Sequence, residues 1–212
     1  MTAREAILGQ IREALGAEAL NPEVSYAQVP RDYNVTTALS REHVLELFLD
    51  RLIDYDTEVI QVKAEAEIAG AIAQGLHNAG ETLALASAEF PAAWLPRGFQ
   101  VELDGNLSVP QIEAAQAVIT TCEAGVASTG TIILVHEGAQ ARRVLTLLPD
   151  HHICVVRRDQ VLGTVPESVA ALGTSKPITT ISGPSATSDI EMTRIRGVHG
   201  PRHLTVVLYG DL

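Results

Sequence analysis

The chain has 212 residues, 46% of them apolar and 19% charged, and carries a net charge of −11 at pH 7. A chain of this length buries roughly 70% of its unfolded surface and folds without disulfide or metal staples. The acidic balance and the 4% aromatic content exclude a general basic or base-stacking face, so nucleic acid is not an expected partner.

The first segment reads as an amphipathic helix. Thr2 and Glu5 have capping-box spacing, Ile7, Leu8, Ile11 and Leu15 form one stripe, and Gly16 stands where a helix stops. Acids and arginines interrupt it, so it lacks the apolar core of a signal peptide. Residues 17–39 carry two prolines and no apolar period, and read as an extended arm. Residues 1–39 are therefore expected as an N-terminal helix and arm, and 40–212 as one α/β domain. The helix docks either on its own domain or on a partner subunit. The second option leaves a homo-oligomer open.

From Ser40 the pattern is regular. Ser40 caps a helix to about Leu52, with Val44, Leu45, Phe48, Leu49 and Leu52 inward. Strands are expected at 57–62, 82–86, 99–103, 117–121, 130–135, 153–156, 178–181 and 204–208. Helices are expected at 65–78, 109–115, 165–172 and near 188–195, with a helical turn at 89–95. Near-continuous apolar strands alternating with helices indicate an α/β three-layer sandwich around a mostly parallel sheet. No run approaches the roughly 18 apolar residues of a membrane span. Cys122 and Cys154 are isolated from each other in sequence, without a C-x-x-C, which fits a reducing, cytoplasmic setting.

Ligands in open α/β sheets bind outside the carboxyl ends of strands. Three polar, glycine-bearing turns are the candidates. The first runs from Glu123 to Thr131, with Gly125, Gly130 and the hydroxyls of Ser128, Thr129 and Thr131. Its glycine spacing matches a phosphate loop, but Thr131-Ile132 stands where Lys-Ser/Thr belongs, so a nucleotide-triphosphate loop is rejected. An oxyanion held by backbone N–H groups and a plain tight turn both stay open. The second turn, Ser182 to Glu191, contains Gly183, Pro184, Ser185, Thr187, Ser188 and Asp189 ahead of an expected helix. It reads as an anion site or as simple N-capping. The third, Gly197 to His203, offers His199 as a hydrogen-bond partner. Gly200 and Pro201 break any helix between His199 and His203, so no metal site is expected there. In His151-His152, at a strand start, at most one ring is expected to face the core or a site. No G-x-S-x-G elbow and no G-x-G-x-x-G follow a strand.

Four stretches in order carry a family resemblance: Val126 to Leu134, Arg143 to Val156, Ser182 to Glu191 and Gly197 to Leu204. Together they resemble the lactate-utilisation protein C family. The likeness covers about 40–212 and is most specific in the S-G-P-S-x-T-x-D-I-E and G-V-H-G-P elements. It implies a fold like that of the sugar-phosphate isomerase and CoA-transferase superfamily. It also implies a role in oxidising L-lactate to pyruvate beside iron–sulfur partner proteins, with no cofactor in this chain. Two cysteines cannot supply the four thiolates of a cubane cluster. The resemblance carries over Thr129, Gly130, Thr131, Gly183, Pro184, Ser185, Thr187 and Asp189 as ligand-binding candidates, without catalytic roles. Relatives usually have an acid where Ser128 stands, so any carboxylate chemistry would fall to Asp189 or Glu191. Two functions follow. One is a lactate-oxidation subunit binding a small carboxylate or other anionic ligand, or a partner. The alternative is a free-standing transferase, isomerase or ligase-like enzyme on a phosphosugar, folate or acyl-CoA, with Glu123 and Glu137 near the place of a CoA-transferase nucleophile.

Overall fold

A computed structural model describes residues 2–16, 26–172, 176–187, 195–196 and 200–211. Two compact units divide the chain, Met1–Asn34 and Val35–Leu212. The smaller contains α1 (Ala3–Leu15), opened by the expected reciprocal cap: Thr2 N–H donates to the Glu5 carboxylate at 2.7 Å and Glu5 N–H to Thr2 Oγ1 at 3.3 Å. Gly16, at φ +71°, ends it. The division falls at 34/35 because residues 35–39 are tied to the larger unit. Thr37 N–H donates to Glu167 Oε1 at 2.7 Å, and Thr164 Oγ1 donates to Val35 O at 3.2 Å.

The helices of the larger unit are α2 (Arg41–Asp54), α3 (Ile68–Ala79), α4 (Val109–Glu113) and α5 (Val165–Leu172). Its strands are β1 (Glu58–Val62), β2 (Leu83–Ser87), β3 (Gln100–Asp104), β4 (Ala117–Thr121), β5 (Ala124–Val126) and β6 (Thr131–Leu134). They continue with β7 (His151–Arg157), β8 (Val161–Leu162), β9 (Thr179–Ile181), β10 (Ala186–Thr187), β11 (Ile195–Arg196) and β12 (His203–Tyr209). The main sheet has the order β1-β12-β7-β4-β2-β3, and every pair in it is parallel.

Strand alternation divides the main sheet's side chains between two faces. Ala84, Ala86, Ile119, Ile153, Val155 and Val207 pack on Ile68, Ile72 and Leu76 of α3. Ile72 and Leu76 are fully buried, and each contributes about 1.5–3 kcal/mol. On the other face, Cys154, Val156, Val206 and Leu208 meet Phe48 and Leu52 of α2 and Ile132 and Leu134 of β6. Cover on both faces explains the continuous apolar runs.

Three expectations change. The 123–131 segment is more than a turn, because Ala124–Val126 pairs antiparallel with β6. This hairpin builds a second sheet of order β8-β5-β6-β9. Three residues are too few to show a period of two. The helix expected over 65–78 begins with a separate 3-10 turn, Glu65–Glu67, because the Glu67 carboxylate turns back to accept the N–H groups of Lys63 and Ala64. Ile195, expected at the end of a helix near 188–195, instead pairs with Thr187 in the antiparallel β10–β11 ladder; the remainder of that helix lies outside the described residues. Among the described residues no helix is long and apolar enough to cross a membrane.

Candidate functional site

Pairing of β6 with β9 sets Ile132 opposite Ile181, which brings the start of β6 beside Ser182. Three hydroxyls then form a chain: Thr129 Oγ1 to Thr131 Oγ1 at 2.7 Å, and Thr131 Oγ1 to Ser182 Oγ at 2.8 Å. Ser185 N–H donates to Pro201 O at 2.8 Å, joining the second turn to the third. Two of the three candidate turns are thus directly bonded, and the described part of the third touches the second. Thr187 lies in β10, while Asp189, Glu191 and His199 fall outside the described residues.

The two glycines carried over at these turns face protein. Gly130, at φ +58°, ends the 3-10 turn Ala127–Thr129; a Cβ there would stand 2.7 Å from Arg51 Cβ and 3.0 Å from the Arg51 carbonyl carbon. Gly183, at φ +80°, has Tyr55 Cβ at 2.6 Å from the same hypothetical atom. Both positions let the end of α2 and the residue after it seat against the second sheet. Gly130→Ala is expected to lower the unfolding free energy by about 1–3 kcal/mol, read from denaturant titration, because backbone must move to admit the methyl.

A cleft of about 310 Å³ lies along the second turn. Residues 179–186 form one wall, with Arg143, Thr146 and Leu147 beside them; His152, Gly200, Pro201, His203 and Leu204 complete it. Pro184 and Ser185 line it, whereas Thr129, Gly130 and Thr131 are not among its lining residues. His152 is the second residue of β7, and His203 and Leu204 open β12. The cleft therefore lies at the amino ends of these strands, not at the carboxyl ends where the sheet rule pointed. The third turn precedes its strand, so it falls at that end.

Two cleft side chains, Arg143 and Thr179, escape selection from sequence; a third, His152, belongs to the histidine pair of which at most one ring is expected to face the core or a site. Arg143 Nη1 donates to Thr179 Oγ1, Thr179 Oγ1 lies 2.7 Å from His136 Nε2, and His136 Nδ1 lies 3.1 Å from Ala141 O. Since Ala141 O only accepts, the His136 proton sits on Nδ1, and Nε2 accepts from Thr179. Burial, followed by the Arg143 charge, holds His136 below the ordinary histidine range, consistent with this uncharged ring. The relay fixes Arg143 at the cleft rim through one guanidinium nitrogen. No sequence motif marks it, because its partners lie 36 residues away.

His151 and His152 are both buried, since the sheet is covered on both sides. His152 Nε2 lies 2.8 Å from Thr120 Oγ1, and burial, aided by the two nearby histidines His151 and His136, lowers it to about 3. His151 faces the opposite way. Its Nδ1 meets Glu81 Oε2 at 2.8 Å and its Nε2 meets Thr205 Oγ1 at 2.8 Å, while Thr205 donates to Glu58 Oε2 at 2.7 Å. The ring is held between the Glu81 carboxylate and, through the Thr205 hydroxyl, that of Glu58. It borders a second cavity of about 760 Å³, also at the amino ends of β7 and β12.

The remaining candidates are occupied structurally. Glu123 accepts from Gln140 Nε2 at 2.8 Å, and Glu137 pairs with Lys176 at 2.6 Å. Cys122 and Cys154 are buried free thiols; the Cys154 thiol beside it, then burial, push Cys122 well up, away from reactivity. No group of three or more His, Cys, Asp or Glu among the described residues is placed to hold a metal.

Comparison with known proteins matches residues 109–209 to the LUD domain. The chain is 47% identical over 183 residues to Lactate utilization protein C of Deinococcus radiodurans, covering 84% of this chain and 85% of that one. It is 27% identical to Lactate utilization protein C of an Exiguobacterium species, over 100% of this chain and 98% of that one. A crystal structure of a DUF162 family protein from Deinococcus radiodurans superimposes with a TM-score of 0.68 at 42% identity, covering 81% of this chain and 99% of that one. With a relative this similar spanning most of both lengths, the chain belongs to the lactate utilization protein C family of LUD-domain proteins.

Proposed function

We propose that this chain serves lactate utilization as a subunit without a redox centre of its own, in the oxidation of L-lactate to pyruvate with iron–sulfur partner proteins. The 47% identity to a relative named for lactate utilization carries the reading. Oxidising lactate to pyruvate releases two electrons and two protons. Two buried cysteines cannot bind a cluster that needs four thiolates, so partners are the expected route for the electrons. In this reading the chain works in the cytoplasm, and the cleft beside Arg143 takes the small carboxylate. On a chain with net charge −11, an anion needs a local cation, and Arg143 stands at the rim with a single described hydrogen bond, to Thr179.

Co-expression with an iron–sulfur partner under anaerobic conditions should yield a stable complex with lactate-dependent electron transfer, absent from this chain alone. Failure of the two to associate sinks the proposal. Arg143→Ala should weaken carboxylate binding by about 10- to 100-fold in calorimetry, as for a hydrogen bond to a charged group, with the unfolding midpoint retained.

A further inference from the structure

Thr179 Oγ1 is the meeting point of two side chains. Arg143 Nη1 donates to it, and it lies 2.7 Å from Nε2 of His136. A hydroxyl has one hydrogen and two lone pairs. While the His136 ring is neutral with its proton on Nδ1, the Thr179 hydrogen is committed to Nε2, and Thr179 has none to give a ligand. Once the ring is protonated, Nε2–H donates instead. Arg143 and His136 then take both lone pairs of Thr179, and its hydrogen must turn to a third acceptor. Thr179 is half-buried and lines the 310 Å³ cleft beside Arg143, so an anion seated on Arg143 is the acceptor that arrives there.

The backbone holds the ring in this place. His136, at φ +58°, and Ala141, at φ +62°, both occupy the left-handed region that side chains rarely adopt. The loop between them is closed by His136 Nδ1–H on Ala141 O at 3.1 Å and by Val135 N–H on Gln140 Oε1 at 2.6 Å. Strained backbone that its surroundings over-determine clusters at binding and active sites. The charged and titratable groups around the ring come from several elements. Arg143 is the charge whose field opposes its protonation, and His152 on β7 is a further imidazole within its field. Along the loop, Glu137 is paired with Lys176, Glu123 accepts from Gln140, and Glu89 stands against Gly138.

We propose that His136 is a positioning residue for carboxylate binding: on taking a proton from solvent at Nε2 it turns the Thr179 hydroxyl hydrogen onto the carboxylate held by Arg143, so that binding the anion takes up a proton. This rests on the cleft being the carboxylate site. Burial, followed by the Arg143 charge, keeps the ring of the free chain below the ordinary histidine range. A bound carboxylate offsets the Arg143 charge and accepts the released Thr179 hydrogen, and both effects raise the ring. Affinity therefore climbs as pH falls through the bound-state value and levels off below the free-chain value.

The test is a calorimetric titration of the whole chain with L-lactate across a pH series, in pairs of buffers that differ in ionisation enthalpy, with ¹⁵N spectra of the His136 ring. Affinity is expected to rise about tenfold from about pH 8 to about pH 6, the worth of one hydrogen bond to a charged group, with heats that reveal proton uptake. His136→Asn does not titrate and suits the left-handed backbone, so it should lose both the slope and the uptake. His203 also lines the cleft and is the rival source of a slope; His203→Gln should keep the slope, whatever its affinity. Binding that needs Arg143 but shows neither slope nor uptake overturns this inference alone. So does a slope that survives in His136→Asn or disappears in His203→Gln. Absence of lactate binding by the wild-type chain at every pH, or binding indifferent to Arg143→Ala, overturns the cleft assignment as well. Should His136→Asn fail to fold in a circular-dichroism melt, the wild-type ring decides: Nε2 should gain its proton at a higher pH with saturating L-lactate than without, and an unchanged ring titration overturns the inference.

Discussion

Replacing His151 by leucine is expected to lower the unfolding free energy by about 3–5 kcal/mol. The ring lies between Glu81 and, through Thr205, Glu58, with its side chain 2% exposed and that of Glu81 9% exposed. Removing the ring takes away the partner that the Glu81 carboxylate and the Thr205 hydroxyl share, and leaves a nearly buried carboxylate without it. For a chain of this size about 1 kcal/mol moves the melting temperature by roughly 2–4 °C, so a fall of about 6–20 °C should be seen by calorimetry. Adding Glu81→Gln to His151→Leu should recover part of the loss, since it removes one of the stranded charges. A double variant as unstable as the sum of the singles would show that the network is not electrostatically coupled.

The second large effect is a slope against pH. Burial, aided by the neighbouring His151 and His136, lowers His152 from 6.5 to about 3 in the folded chain. The unfolded chain binds this proton below about pH 6.5, and the folded chain does not until about pH 3. Stability from this residue is thus complete above the unfolded value and is lost as pH falls toward the folded one, by up to about 1.4 kcal/mol per pH unit. Between pH 6.5 and 4.5 the wild type should lose about 2–3 kcal/mol more than His152→Phe in urea titrations. The Thr120 hydroxyl left unpartnered in that variant adds a constant offset and leaves the difference in slope intact. Parallel curves for the two proteins would refute a buried, uncharged His152.

Much of this fold is readable from sequence because the main sheet is enclosed. Runs such as 117–119 and 153–156 are apolar without alternation, and α2 shows its inward stripe between a capping Ser40 and Tyr55. The second sheet is not readable, since β5 has three residues and β8 two, and their pairing depends on partners distant in sequence. The site was legible as turns but not as chemistry. Ser182, Gly183, Pro184 and Ser185 announce themselves by composition, and four of the cleft's wall positions follow from them. Gly130 and Gly183 look like ligand glycines in sequence, yet the close approach they permit is to Arg51 and Tyr55. Arg143 and His152 gain their significance from Thr179 and Thr120, 36 and 32 residues away.

The strand order β1-β12-β7 has a kinetic consequence. Among the described residues β1 has no sheet neighbour other than β12, and Thr205 reaches Glu58 across 147 residues of chain. During synthesis, β1 must wait with its hydrogen-bonding edge open until β12 emerges and slots between it and β7. Such distant closure slows folding, and an open edge invites pairing with other chains in the interval. The larger unit should accordingly refold slowly and aggregate in proportion to its concentration, with a chaperone that shields nascent strands improving its yield.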